Sequence, residues 1–87
     1  KVKGLKVAVL SGLFVGDLNA TCDLLLAGPV SQRSLDNLIS KVEDMVGGEV
    51  NYALFDSSEY QYRKNIFDRF MKDVFDNRHS IILEKIA

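Results

Sequence analysis

At 87 residues the chain has material for one domain around one core, because so short a chain cannot fill two. With 47% hydrophobic and 26% charged residues, it has the balance of a folded globular domain and not of a disordered tract. Its 11 basic and 12 acidic side chains leave a formal net charge of −1, which excludes the broad positive field of a domain that holds nucleic acid by charge alone.

The chain opens at Lys1 without a methionine and runs almost at once into an apolar stretch, so it is expected to be a piece of a longer protein. Residues 5 to 11, LKVAVLS, are rich in aliphatic and β-branched side chains and stop at Gly12, which predicts a buried first strand. Residues 16 to 21, GDLNAT, concentrate turn formers, so a second strand, Cys22 to Ala27, should return beside the first as a hairpin. Both alternating sets of that second strand are apolar apart from Asp23, which places it in the middle of a sheet covered on both faces. Cys22 has no intrachain partner and reads as a reduced, intracellular thiol packed as a small hydrophobe.

Gly28-Pro29 ends the strand, and Ser31 caps a helix that runs to Val46 and stops at Gly47-Gly48. Leu35, Leu38, Ile39, Val42, Met45 and Val46 recur at the spacing of one helical face. Residues 49 to 55, EVNYALF, predict a third strand, parallel to the second through a right-handed crossover. Asp56 and Glu59 have the spacing of a capping box, which starts a short helix at Ser57. Ile66, Phe67, Phe70, Met71, Val74 and Phe75 continue helical spacing through residues 66 to 77, with the phenylalanines assigned to the core. The run HSIILEKI closes the chain as an edge strand. The expected class is α+β (mixed α/β), in the order β1-β2-α1-β3-α2-α3-β4. No apolar stretch approaches the length of a membrane span and no signal-like start is present, so the expected location is the cytoplasm.

Three stretches, VLSGLFVG, CDLLLAG and EVNYALF, carry a family likeness. Their order of strand, glycine-led loop, aspartate-bearing strand, helix and strand resembles the nucleotidyltransferase fold of the DNA polymerase β superfamily in its minimal prokaryotic form. The patterns LSGxFV, DLLxxG and EVNY are similar to nucleotidyltransferase-like domains that follow a winged-helix DNA-binding domain in prokaryotic transcriptional regulators. In active members the loop carries Gly-Ser, the second strand Asp-x-Asp and the third strand another acid. Those carboxylates hold two divalent metals that clamp the oxygens of an in-line phosphoryl transfer, and strand alternation puts both acids of the pair on one face.

Carried onto this chain, the resemblance maps the loop serine to Leu13, the acidic pair to Thr21 and Asp23, and the third acid to Asn51. Only Asp23 keeps a carboxylate. The implied function is a catalytically silent nucleotidyltransferase-like domain, the sensory or interaction half of a larger DNA-binding regulator. Ser11, Gly12, Leu13, Gly16 and Asp23 are then the candidate nucleotide contacts, Gly12 and Gly16 shape an anion pocket of backbone amides, and Asp23 is a residual magnesium ligand. The plainer reading makes the glycines turn formers and Asp23 a cap on local amides.

Two rivals stand beside it. An active transferase would recruit Asp17 or Glu49 as replacement ligands, and a dimerisation module would use an exposed sheet edge or helix face to form a homodimer. In EYQYRKN, the aromatic and basic groups Tyr60, Tyr62, Arg63 and Lys64 mix as on a nucleic-acid surface, but the expected roles are helix packing by the tyrosines and a solvated basic tip. His79, beside Arg78, is expected to be a solvated edge residue.

Overall fold

Strand β1 (Val7–Leu10) and strand β2 (Leu24–Ala27) form an antiparallel pair, with Val7 opposite Ala27 and Leu10 opposite Leu24. This is a computed structural model that describes residues 4–17 and 22–85. Helix α1 (Gln32–Val46) crosses to strand β3 (Tyr52–Phe55), which lies parallel to β2. Helices α2 (Ser57–Ile66) and α3 (Arg69–Asp76) follow, and β4 (Ser80–Glu84) returns antiparallel to β1. The result is a mixed α+β fold with sheet order β3-β2-β1-β4 and the element order read from the sequence.

The doubly apolar pattern of β2 has the consequence expected of it: the strand is central and each face meets a different helical layer. Leu24 and Leu26 join Ala8 and Val50 beneath Leu35 and Ile39 of α1. Leu25 and Ala27 join Val7, Val9 and Cys22 beneath Tyr60 of α2 and Met71 and Val74 of α3. Each fully buried leucine contributes about 1.5–3 kcal/mol, so truncating Leu25 would undermine the fold from its centre.

Local capping defines the helices. The Ser31 hydroxyl accepts from Ser34 N at 3.1 Å, and Gly47, at φ 78°, returns its N–H to Glu43 O at 2.8 Å. Asp56 accepts from Glu59 N at 2.7 Å, which starts α2 at Ser57 as expected.

Two apolar assignments are corrected. Met45, placed on the packed face of α1, is 84% exposed, and Val46 is exposed with it. A helix of 15 residues is about 22 Å long, whereas strands of 4 residues span about 13 Å, so the last turn of α1 overruns the sheet. Phe67, assigned to a core helix over residues 66 to 77, instead ends α2 in the left-handed conformation at φ 50° and is 42% exposed. Ile66 is the last residue of α2 and is exposed too. The break follows from Asp68, whose carboxylate accepts from Met71 N at 2.9 Å and starts a new helix at Arg69. Phe70 and Phe75 do pack against the core, Phe70 edge-on to Phe55 at 5.5 Å.

Three of the four basic and aromatic residues on α2 are drawn into the fold. Tyr60 is buried, and its hydroxyl meets Glu84 Oε2 of β4 at 3.3 Å, where Lys64 Nζ also binds at 2.6 Å. Arg63 pairs with Glu59 and with Asp68, at 3.1 and 2.6 Å, and lies over the Phe55 ring at 4.7 Å. Tyr62, expected to pack as well, is instead 64% exposed. None of the described helices is long and apolar enough to cross a membrane.

Candidate functional site

The carboxylate end of the sheet is built from β1, which must turn at Gly12, and from the residues just before β2 and β3. After Leu10 the chain enters a short 3-10 turn, Gly12–Val15. Ser11 N donates to Asp23 O at 2.9 Å, which holds the start of the turn against the approach to β2. Ser11 is 1% exposed, and its hydroxyl oxygen has no hydrogen-bond partner among the described residues.

Asp23 is the hub. Its Oδ1 accepts from Leu13 N at 2.8 Å and its Oδ2 from Asn51 N at 3.0 Å, across separations of 10 and 28 residues. Asn51 O accepts in return from Asp23 N at 2.7 Å and Leu24 N at 3.1 Å. The fold therefore brings together Leu13, Asp23 and Asn51, three of the positions onto which the resemblance was carried. They meet through backbone amides of Leu13 and Asn51, not through a cluster of acids. Thr21, the fourth position, lies outside the described residues.

Gly12 makes the hub sterically feasible. Its φ is +48°, and a Cβ placed on it would stand 2.4 Å from Asp23 Oδ1 and 2.8 Å from Cys22 O. No L side chain fits there without displacing the carboxylate or the backbone.

Four of the loop amides that could cradle an anion are already engaged. Leu13 N serves Asp23, Phe14 N donates to Ser11 O at 3.0 Å, Gly16 N to Leu13 O at 3.4 Å and Asp17 N to Gly12 O at 2.8 Å. Gly16, at φ 80°, closes the turn as its left-handed cap. Beside it an open depression of about 290 Å³ is lined by Val15, Gly16, Asp17 and Arg78. Arg78 Nη1 approaches Val15 O at 3.4 Å. The sequence carries no local signal for this arginine, because it arrives from the turn before β4, 63 residues beyond Val15.

Of the two proposed replacement acids, Asp17 lines that depression, and Glu49 is exposed ahead of β3. Among the described residues no group of three His, Cys, Asp or Glu side chains could hold a metal ion. With no such group, and with Asp23 the one carboxylate at the mapped positions, the described residues do not fit a pair of divalent cations. The Cys22 thiol is buried, and burial followed by the nearby charge of Asp23 pushes its pKa up to about 11. His79 Nδ1 donates to Asn77 O at 2.8 Å, and the ring packs edge-on to Phe75 at 5.1 Å.

Compared with known proteins, the chain matches no family model, no curated protein and no solved structure.

Proposed function

We propose that this chain is a catalytically inactive nucleotidyltransferase-like domain, acting in the cytoplasm as the ligand-sensing or protein-interaction module of a larger, DNA-binding transcriptional regulator. One observation carries the inactive half of this reading: both oxygens of Asp23, the acid that survives from the transferase pattern, are committed to the amides of Leu13 and Asn51. Two-metal phosphoryl transfer needs several carboxylates turned towards the cations. A carboxylate that already binds two amides is a structural clasp. The regulatory half rests on the likeness of VLSGLFVG, CDLLLAG and EVNYALF to domains that accompany winged-helix readers, and the absence of a net positive charge assigns DNA contact to another part of such a protein.

The inward hydrogen bonding of the 3-10 turn favours interaction over nucleotide sensing, since an incoming phosphate would have to displace contacts already made. Calorimetric titration with nucleoside triphosphates, with magnesium or manganese, is expected to give no heat of tight binding. Incubation with labelled nucleotides and a candidate acceptor is expected to leave the acceptor's mass unchanged. Stoichiometric nucleotide attachment would restore the enzyme reading, and metal-dependent nucleotide binding without transfer would favour the sensor.

A further inference from the structure

We propose that two copies of this chain associate through β3, extending the sheet across a two-fold axis centred on Ala53. The proposal stands on the sheet edge and makes no use of the Asp23 clasp, so it can fail or hold independently of the functional reading above.

Among the described residues the sheet has two open edges, and they differ. At β4 the register slips: Ala8 faces Leu83 and Val9 faces Ile81, so Ile82 is an extra residue between them. Glu84 at its end is tied down by Lys64 and Tyr60. A bulge and a charged end are devices that discourage a further strand. Strand β3 has neither. Tyr52–Phe55 pairs with Leu24–Ala27 without a slip, and its sequence, YALF, contains no proline and no charge.

The direction of the backbone groups follows from the bonds already made. Asn51 O accepts from β2, and Phe55 O accepts from Gly28 N at 3.0 Å. Alternation along a strand then aims the N–H and C=O groups of Tyr52 and Leu54 at the open edge. An antiparallel second copy with Tyr52 opposite its Leu54 satisfies these groups on both chains with four hydrogen bonds. Ala53 meets Ala53 at the axis, in the narrow pair where a small side chain is needed. An axis perpendicular to the sheet keeps α1 on the same face in both copies. The Tyr52 ring, 40% exposed in the single chain, comes to cover Leu54 of the second copy.

Neighbouring registers are worse. Centring the axis on Leu54 requires the carbonyl of Asp56, which already accepts from Tyr60 N at 3.0 Å where α2 begins. Centring it on Tyr52 requires the amide of Val50, which already donates to Glu43 Oε2 at 2.9 Å. The register centred on Ala53 uses only the edge-facing backbone groups of Tyr52 and Leu54, so neither conflict arises. This self-complementarity points to a second copy as the occupant of the edge.

Sedimentation equilibrium of the 87-residue chain tests the idea. The wild type is expected to show a concentration-dependent monomer–dimer equilibrium. Tyr52→Lys should weaken it by at least about tenfold, Tyr52→Thr should weaken it severalfold while keeping a strand former at the edge, and Ile82→Lys should leave it unchanged. Far-ultraviolet circular dichroism checks that each variant keeps the fold. A wild type that stays monomeric up to millimolar concentration overturns the proposal, as does an association lost with Ile82→Lys and retained with Tyr52→Lys or Tyr52→Thr.

Discussion

The contact between Gly12 and Asp23 can be tested quantitatively by removing each partner alone and both together. Asp23→Ala takes away two backbone amide contacts, 2.8 Å to Leu13 N and 3.0 Å to Asn51 N. Removing a side-chain acceptor from one exposed backbone N–H costs about 1 kcal/mol, so the pair is worth about 2 kcal/mol. Gly12→Ala adds a Cβ 2.4 Å from Asp23 Oδ1 and 2.8 Å from Cys22 O, at φ +48°. The left-handed backbone alone costs an alanine about 1–2 kcal/mol, and displacing the carboxylate forfeits the Leu13 contact, which brings the total to about 3 kcal/mol.

Because both single variants lose that one contact, the double variant should cost about 1 kcal/mol less than their sum, a coupling of the size expected between touching groups. Urea unfolding followed by circular dichroism measures all four corners of the cycle. For a domain of this size Asp23→Ala should lower Tm by about 8–16 °C. Magnesium should leave the wild-type Tm unmoved, whereas a cation held by Asp23 would raise it by mass action. Strict additivity of the two substitutions, or an Asp23→Ala cost below about 0.5 kcal/mol, the level of an ordinary surface change, would refute the clasp.

Other consequences follow from the packing. The hydrogen bond from Lys64 holds Glu84 below its ordinary value of 4.5. A carboxylate with a depressed folded pKa stabilises the fold above that ordinary value and loses this contribution as pH falls through the depressed one; the Tm gap between wild type and Glu84→Gln should therefore be full at neutral pH and close in acid. Cys22 is buried with its thiol pushed up to about 11, so alkylation at pH ~8 should be slow in the native protein and rapid in denaturant, as thiolate supply requires. Ile39→Ala, in the core under α1, should cost about 2–5 kcal/mol, while Met45→Gln at the overrunning end of the same helix should stay within about 0.5 kcal/mol in thermal unfolding.

Features written in local chemistry were legible in the sequence. The doubly apolar β2 announced a central strand, and Ser31, Gly47 and Asp56 marked helix ends because their capping partners lie within four residues. Features that depend on relative lengths were hidden. The helical spacing of Met45 is genuine, but nothing local reveals that the sheet beneath it has ended. Phe67 carries no signal for a left-handed residue, a role usually taken by glycine or asparagine; the capping power of Asp68 decided the break. At the candidate site, the resemblance singled out Asp23 together with Leu13 and Asn51, and the plainer reading made Asp23 a cap on amides; which amides it takes, 10 and 28 residues away, left no trace in residue type. Arg78 was invisible for the opposite reason: its position beside the 3-10 turn is set wholly by how β4 returns to β1.

The clasp also bears on whether a single cation could still use this end of the sheet. Asp23 keeps lone pairs for a cation beside its two amide contacts, so the obstacle is the shortage of negative charge around it. Of the other mapped positions among the described residues, Leu13 has no ligand atom in its side chain and Asn51 brings an uncharged amide. The positive charge would then have to be balanced mainly by the phosphates of the incoming nucleotide, in a loop whose amides already serve Asp23 and the loop's own carbonyls. The acid and the loop are thus turned towards each other, and Gly12 is the residue that lets them touch. The same glycine that a phosphate cradle would need is here needed by a carboxylate of the protein itself, so its presence is no sign of nucleotide chemistry.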